Sequence, residues 1–267
     1  WQASKWAKHR KGELDILYYD FETFKVRDKE EFVVYAVGFY YETHKYQSYY
    51  GINTMDLFLE YLSAVKERKK PILLVAWNGG RFDAKLIIRQ LLVNPNWRTR
   101  GSISELLLNG NRVLQCKITF ATGVQYMLFD PVNFFMTSLK NACSDFKISE
   151  ENTKKNFPHK IIMSFADIER SVPLETLNNA KLYFGENDFR LKSPWTMEEV
   201  KPFIIRRDKI SLRLLSEYYL KADVMGMREL CTTFFDGIYA TQKYDCWSYL
   251  TVSQLSYSIW INNLPLK

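Results

Sequence analysis

The chain has 267 residues, of which 47% are hydrophobic and 16% aromatic; that suits one large domain or two small ones and excludes a disordered chain. Lys and Arg number 37 against 30 Asp and Glu, and the resulting net charge of +7 favours a polyanionic partner without identifying one. No apolar run reaches the roughly 18 residues of a membrane span. Cys116, Cys143, Cys231 and Cys246 form no C-x-x-C pair. The expectations are therefore a soluble chain, no membrane partner, no zinc site, and thiols in a reducing intracellular compartment (cytosol, nucleus or mitochondrion).

Residues 1–14 read as a basic leader without sustained periodicity, and the start at Trp1 leads us to expect a processed product or a piece of a longer protein. "LDILYYDF" and "EFVVYAVGFYY" are β-rich and flank a charged turn, "KYQSYYG" adds a third strand, and the short connections imply an antiparallel meander. The period then changes. Met55, Phe58, Leu59, Leu62 and Val65 recur at helical spacing, with Thr54 placed as N-cap and Pro71 as the stop. "ILLVAWN" is the short apolar run of a central strand covered on both faces, and "FDAKLIIRQLL" resumes the helical period.

"ELLLNGNRVLQCKI" predicts two strands around Asn109-Gly110, and "GVQYMLFD" another. Between Thr137 and Lys201 turn chemistry dominates; Phe203 to Phe235 reads as helical, and "TVSQLSYSIWINN" as a final helix. This alternation predicts an α/β fold, a central mixed β-sheet flanked by helices, with its main domain over residues 15–235 and a C-terminal helical segment over 236–267.

Four carboxylates sit where structure alone would not choose them. Asp20 and Glu22, in "ILYYDFETFK", share one face of a strand and repel. Asp83 opens the helix after the buried strand, and Asp223 lies within a helix that has an apolar face. If gathered in space, the four need a hard divalent cation, Mg²⁺ or Mn²⁺. Two such ions suit in-line attack on a phosphodiester. Tyr219 precedes Asp223 by four residues and projects from the same helix face, where a phenol can orient a water.

"DFET", "WNGGRFDAKLIIRQL" and "YYLKAD", in that order, resemble the three exonuclease motifs of family B DNA polymerases, above all the protein-primed branch. "TSLKNACSDFKI" is similar to that branch's single-strand-binding element, and "KKNFPH" to the element whose lysine contacts the scissile phosphate. The resemblance implies an RNase H-like, DEDD-type 3′-to-5′ proofreading domain of the tyrosine subclass, acting on single-stranded DNA 3′ ends with two Mg²⁺ or Mn²⁺.

By the same resemblance Asp20, Glu22, Asp83 and Asp223 are metal ligands, Tyr219 orients the water, and Lys154 is the phosphate-contacting lysine, with Lys155 its alternative. Thr23, Asn78, Phe82, Ser138 and Leu139 contact the strand, and Trp77 stands where relatives often carry His. Ser138 also reads as a helix cap, Leu139 as core, and His159 as a surface or hydrogen-bonded histidine. No palm motif with paired aspartates follows, so a polymerase domain would lie in the parent protein or in a separate chain. Two other readings stay open: an RNA-processing DEDD nuclease, and a catalytically silent nucleic-acid-binding or structural subunit.

Overall fold

The structure, a computed structural model, describes residues 15–26, 31–66, 70–152, 157–179, 194–206 and 208–263. The β-branched and aromatic runs at its start become β1 (Ile16–Lys25), β2 (Phe32–Tyr41) and β3 (Lys45–Tyr50), an antiparallel meander as expected. Helix α1 (Thr54–Ala64), β4 (Ile72–Val75) and α2 (Asp83–Val93) follow. The hairpin of β5 (Gly101–Asn109) and β6 (Arg112–Phe120) and then β7 (Gln125–Phe129) complete a seven-stranded sheet of order β3-β2-β1-β4-β7-β6-β5. β1, β4 and β7 run parallel and the outer pairs antiparallel, so the sheet is mixed. All four residues of β4 are buried, which explains why its sequence shows no polar alternation.

Alternation along β1 sorts its side chains between two cores. Leu17, Tyr19 and Phe21 pack with Phe58 and Leu62 of α1 and Ile87 of α2. Tyr18 belongs to the opposite core, with Val224, Met227 and Phe235 of the long helix Leu212–Gln242. Asp20 and Glu22 have the parity of Tyr18 and so look toward that helix. A third cluster joins Phe24 and Tyr35 to Phe157, Leu215 and Tyr219. The long helix approaches the 150–152 turn closely at Gly226, where an added Cβ would lie 2.1 Å from the Asn152 carbonyl oxygen.

Three local expectations are corrected. Asn53, not Thr54, is the N-cap of α1; the Thr54 hydroxyl instead donates to the Gly51 and Tyr35 carbonyls at 2.7 and 3.1 Å, tying the helix to β2. That helix ends at Ala64, well before Pro71, because Val65 turns extended and buries its side chain.

The helix expected from Phe203 does not start there: Phe203 closes a single 3-10 turn, Lys201–Phe203, and two short strands follow. β9 (Ile204–Arg206) and β10 (Lys209–Ser211) pair with each other, and β10 with β8 (Ser171–Pro173), in a small sheet. The left-handed Asp208 (φ 59°) makes the turn, and the β-branched isoleucines on either side favour strands. The long helix begins only at Leu212, where the Ser211 hydroxyl accepts from the Leu214 amide. It then runs unbroken to Gln242. All four cysteines are buried thiols, and no helix of the described residues is long and apolar enough to cross a membrane.

Candidate functional site

β4 pairs with β1 only from Ile16 to Tyr18, with Tyr18 opposite Val75. Past that point the chain leaves the sheet and the β4-facing edge of β1 lies open. α2 starts at this opening, and Asp83 closes it: its Oδ1 accepts the Phe21 backbone N–H at 3.2 Å. Phe21 stands between Asp20 and Glu22, so a carboxylate from 62 residues on reaches the edge of the β1 pair. Asp83 is 3% exposed. Burial, and then the charges of Glu22 and Asp130, outweigh two backbone N–H bonds and push its pKa up to about 7.

The long helix approaches from the other side. Tyr219 and Asp223, one turn apart, are both buried, and their side chains share a hydrogen bond. Burial first, then the charges of Asp223, Glu22 and Asp20, hold the phenol well above its ordinary value, so Tyr219 stays a neutral O–H. Glu22, also buried, is thus an electrostatic neighbour of both Asp83 and Tyr219. His159 joins the corner with Nδ1 3.1 Å from Glu22 Oε2 and its ring edge-on to Tyr219 at 5.1 Å.

Among the described residues no group of three or more His, Cys, Asp or Glu side chains is placed to hold a metal ion as it stands. The chemistry of Asp20, Glu22, Asp83 and Asp223 nevertheless fits one. Its donors are all hard oxygens, three of the four carboxylates are buried, and burial first, with the charges of Glu22 and Asp130 behind it, disfavours the ionised form of Asp83.

Beside this corner the turn after β4 is built around Asp130, a buried carboxylate at the end of β7. Its Oδ1 accepts from the Asn78 and Val132 amides at 2.9 and 3.1 Å, and its Oδ2 from the Gly80 amide at 3.2 Å. Asn78 is left-handed at φ 58°, a conformation that asparagine tolerates. Gly80 lies so close to β6 that a Cβ would come within 2.2 Å of the Val113 carbonyl oxygen, while the Val113 amide donates back to the Gly80 carbonyl at 2.8 Å. Only glycine fits there.

A groove of about 830 Å³ opens along this turn, lined in part by Trp77, Asn78, Arg81, Arg112, Ser138 and Leu139. Trp77 packs on Phe135 at 5.3 Å. Ser138 caps the short helix Leu139–Asp145, accepting from the Asn141 amide, and Leu139 is 5% exposed. Both therefore also fulfil the structural reading of their sequence. Thr23 and Phe82 are not among the groove-lining residues. Thr23 is half-buried just past a register shift between Glu22 and Thr23, and Phe82 is half-buried, edge-on to Phe32 at 5.4 Å. Lys154 and Lys155 lie outside the described residues.

Two residues of this region, Asp130 and Arg112, were not singled out from the sequence. Asp130 carries a signal that could have found it, since it ends a buried strand just as Asp20 interrupts β1. His159, read from the sequence as a surface or hydrogen-bonded histidine, is half-exposed with Nδ1 3.1 Å from Glu22 Oε2, a partner that the sequence did not name. Arg112 carried no signal, because its partner Asn78 is 34 residues away.

The family described as DNA polymerase type B, organellar and viral, matches residues 62–267. No curated protein matches the chain. Among solved structures, the fold is similar to Phi29 DNA polymerase in an orthorhombic crystal form, with a TM-score of 0.50 at 16% identity over 84% of this chain. It is also similar to the family B DNA polymerase of the hyperthermophilic archaeon Pyrobaculum calidifontis, with a TM-score of 0.50 at 11% identity over 94% of this chain. At such identities the likeness establishes the fold: the RNase H-like α/β arrangement of polymerase exonuclease domains. The chain spans 32% and 30% of those two polymerases, about a third of their length.

Proposed function

The chain belongs to the organellar and viral type B DNA polymerase family, and from that membership we propose that it is a 3′-to-5′ exonuclease of the proofreading kind. It hydrolyses the terminal phosphodiester of a single-stranded DNA 3′ end and releases a nucleoside 5′-monophosphate. The observation that carries this reading is the bond from Phe21 N–H to Asp83 Oδ1, which brings a third carboxylate to the Asp20–Glu22 pair on the strand that faces Tyr219 and Asp223.

In this reading Asp20, Glu22, Asp83 and Asp223 would hold two Mg²⁺ or Mn²⁺. When bound, such ions supply charge stabilisation for the attacking and leaving oxygens of an in-line displacement. Tyr219, kept neutral by burial and by the carboxylates around it, orients the attacking water as a hydrogen-bonding group and does not take its proton. Asn78 and Ser138 give polar contacts to the strand, and Trp77 offers an aromatic face for a base. Thr23, Phe82 and Leu139 contact the terminal nucleotides, and Lys154 or Lys155 meets the scissile phosphate. Sequence preference is small, because stacking and backbone contacts read no base edges. Polymerisation is no part of this proposal.

The test is incubation of the purified chain with 5′-labelled single-stranded DNA in Mg²⁺, Mn²⁺ or EDTA. Metal-dependent shortening from the 3′ end, with monophosphate release, is expected. Faster cleavage of a matched RNA would reassign the substrate, and tight strand binding without turnover in Mn²⁺ would leave a binding module instead.

A further inference from the structure

Building on the exonuclease reading, we propose that Arg112 is a positioning residue that fixes which way the Asn78 side-chain amide faces, so that the groove wall offers N–H donors to a single strand. A guanidinium has N–H donors and no acceptor, so the amide atom lying against it must be the oxygen. Arg112 Nη2 donates to Asn78 Oδ1 at 3.1 Å, and Nη1 donates to Asn133 Oδ1 at 2.9 Å. One fork thus holds two amides by their oxygens and leaves the Nδ2 of each turned away from the guanidinium. Asn133 is buried and Asn78 half-buried, both at the groove, so Asn78 is the one that meets a ligand.

The backbone supports this arrangement. Asn78 is left-handed and its amide is held by Asp130 at 2.9 Å, so the side chain leaves a fixed point. Arg112 is itself poorly placed to meet a phosphate: its side chain is only 18% exposed, Asp130 Oδ2 stands 4.0 Å from Nη2, and both terminal nitrogens are engaged. Lysine could not replace it, because an ammonium is a point charge on a flexible stem and lacks the planar fork that spans two acceptors. The ligand such a wall recognises is rich in acceptors: phosphodiester oxygens and base carbonyls of an unpaired strand. With Asn78 flipped, its oxygen would face those acceptors and repel them.

The proposal is tested by fluorescence anisotropy of a labelled oligothymidylate with the full chain in EDTA, where neither metal nor turnover contributes. Arg112→Met, Arg112→Lys and Asn78→Asp should each weaken binding about tenfold, the scale of one lost charge-assisted or buried hydrogen bond. Arg112→Met combined with Asn78→Asp should be no weaker than Asn78→Asp alone, because both act through one amide. The salt dependence of binding should have the same slope in Arg112→Met as in the unaltered chain, since no phosphate contact is removed.

Normal binding by Arg112→Lys, additive losses in the double variant, or a slope reduced by about one, as for a direct phosphate contact, would each overturn it. If circular dichroism shows Arg112→Met unfolded, the cycle is run with Arg112→Lys. Failure of the unaltered chain to bind the oligonucleotide would sink the exonuclease reading itself, a result distinct from normal binding by the variants.

Discussion

Asp83, the first residue of α2, and Asp130, directly after β7, are both buried aspartates, and burial raises the pKa of both, yet their surroundings differ. Around Asp130 the chain supplies what a carboxylate wants: the amides of Val132, Gly80 and Asn78, with the Arg112 guanidinium beyond them. Asp83 accepts the Phe21 amide and faces the charge of Glu22, in a corner whose other carboxylates belong to Asp20 and Asp223. A carboxylate satisfied by its own chain organises a turn; one held among like charges is suited to an outside cation. In the proposed function this difference divides the work: the groove beside Asp130 holds the strand and the acidic corner around Asp83 cuts it.

The sharpest way to break that division of labour is Asp223→Asn. Turnover on single-stranded DNA should fall by more than about a thousandfold, the loss expected when a metal ligand is removed from an in-line displacement. Oligonucleotide binding in EDTA should change less than about twofold. Comparable losses in both assays would mean that corner and groove are one site.

Next in size is Gly80→Ala. A methyl 2.2 Å from the Val113 carbonyl forces the turn off β6 and should cost about 2–4 kcal/mol, read as a lower urea midpoint. An unchanged midpoint would show that the turn relaxes freely, and the groove would then not be pre-formed.

The two aspartates can also be compared directly. Asp130→Asn places an amide NH₂ among backbone N–H donors and should cost about 1–3 kcal/mol without metal. Asp83→Asn removes a charge from an acidic corner and should cost less, or stabilise. The reverse order would undo the contrast between them. A smaller effect sharpens the same point: Mn²⁺ at about ten times its dissociation constant should stabilise the chain by about 1.4 kcal/mol, seen as a thermal shift that Asp83→Asn loses.

The smallest expected effect lies outside both regions. Burial, and then the charge of Asp236, raise Asp245 to about 6 against the Trp247 amide that it accepts from. A carboxyl with a raised folded pKa contributes stability that is complete below its unfolded value, about 4, and lost as pH rises through about 6. Asp245→Asn keeps the cap and should therefore flatten the melting temperature over that window by about 2 °C or less, since Asp245 is partly solvated. A melting temperature that rose with pH equally in both proteins would refute this sign.

Much of the fold was legible because the interactions that decide it are local. The apolar run of β4, the alternation of β1 and the hairpin glycine each name their element within a few residues, although the β5–β6 turn falls at Gly110–Asn111, one residue past the expected Asn109-Gly110. Helix ends were less legible, because α1 stops where Val65 finds the core, and the long helix starts where a small sheet ends. Of the site, the sequence by itself determined the residue types, their order and the strand face shared by Asp20 and Glu22.

Only the tertiary structure decided who meets whom. The β1–β4 register stops at Tyr18 and leaves Phe21 N–H for Asp83; the close approach at Gly80 carries Asn78 to Arg112; and His159 reaches Glu22. Secondary structure is set by period and propensity over one or two turns. Contacts between distant residues depend instead on sheet register and packing, to which the whole chain contributes.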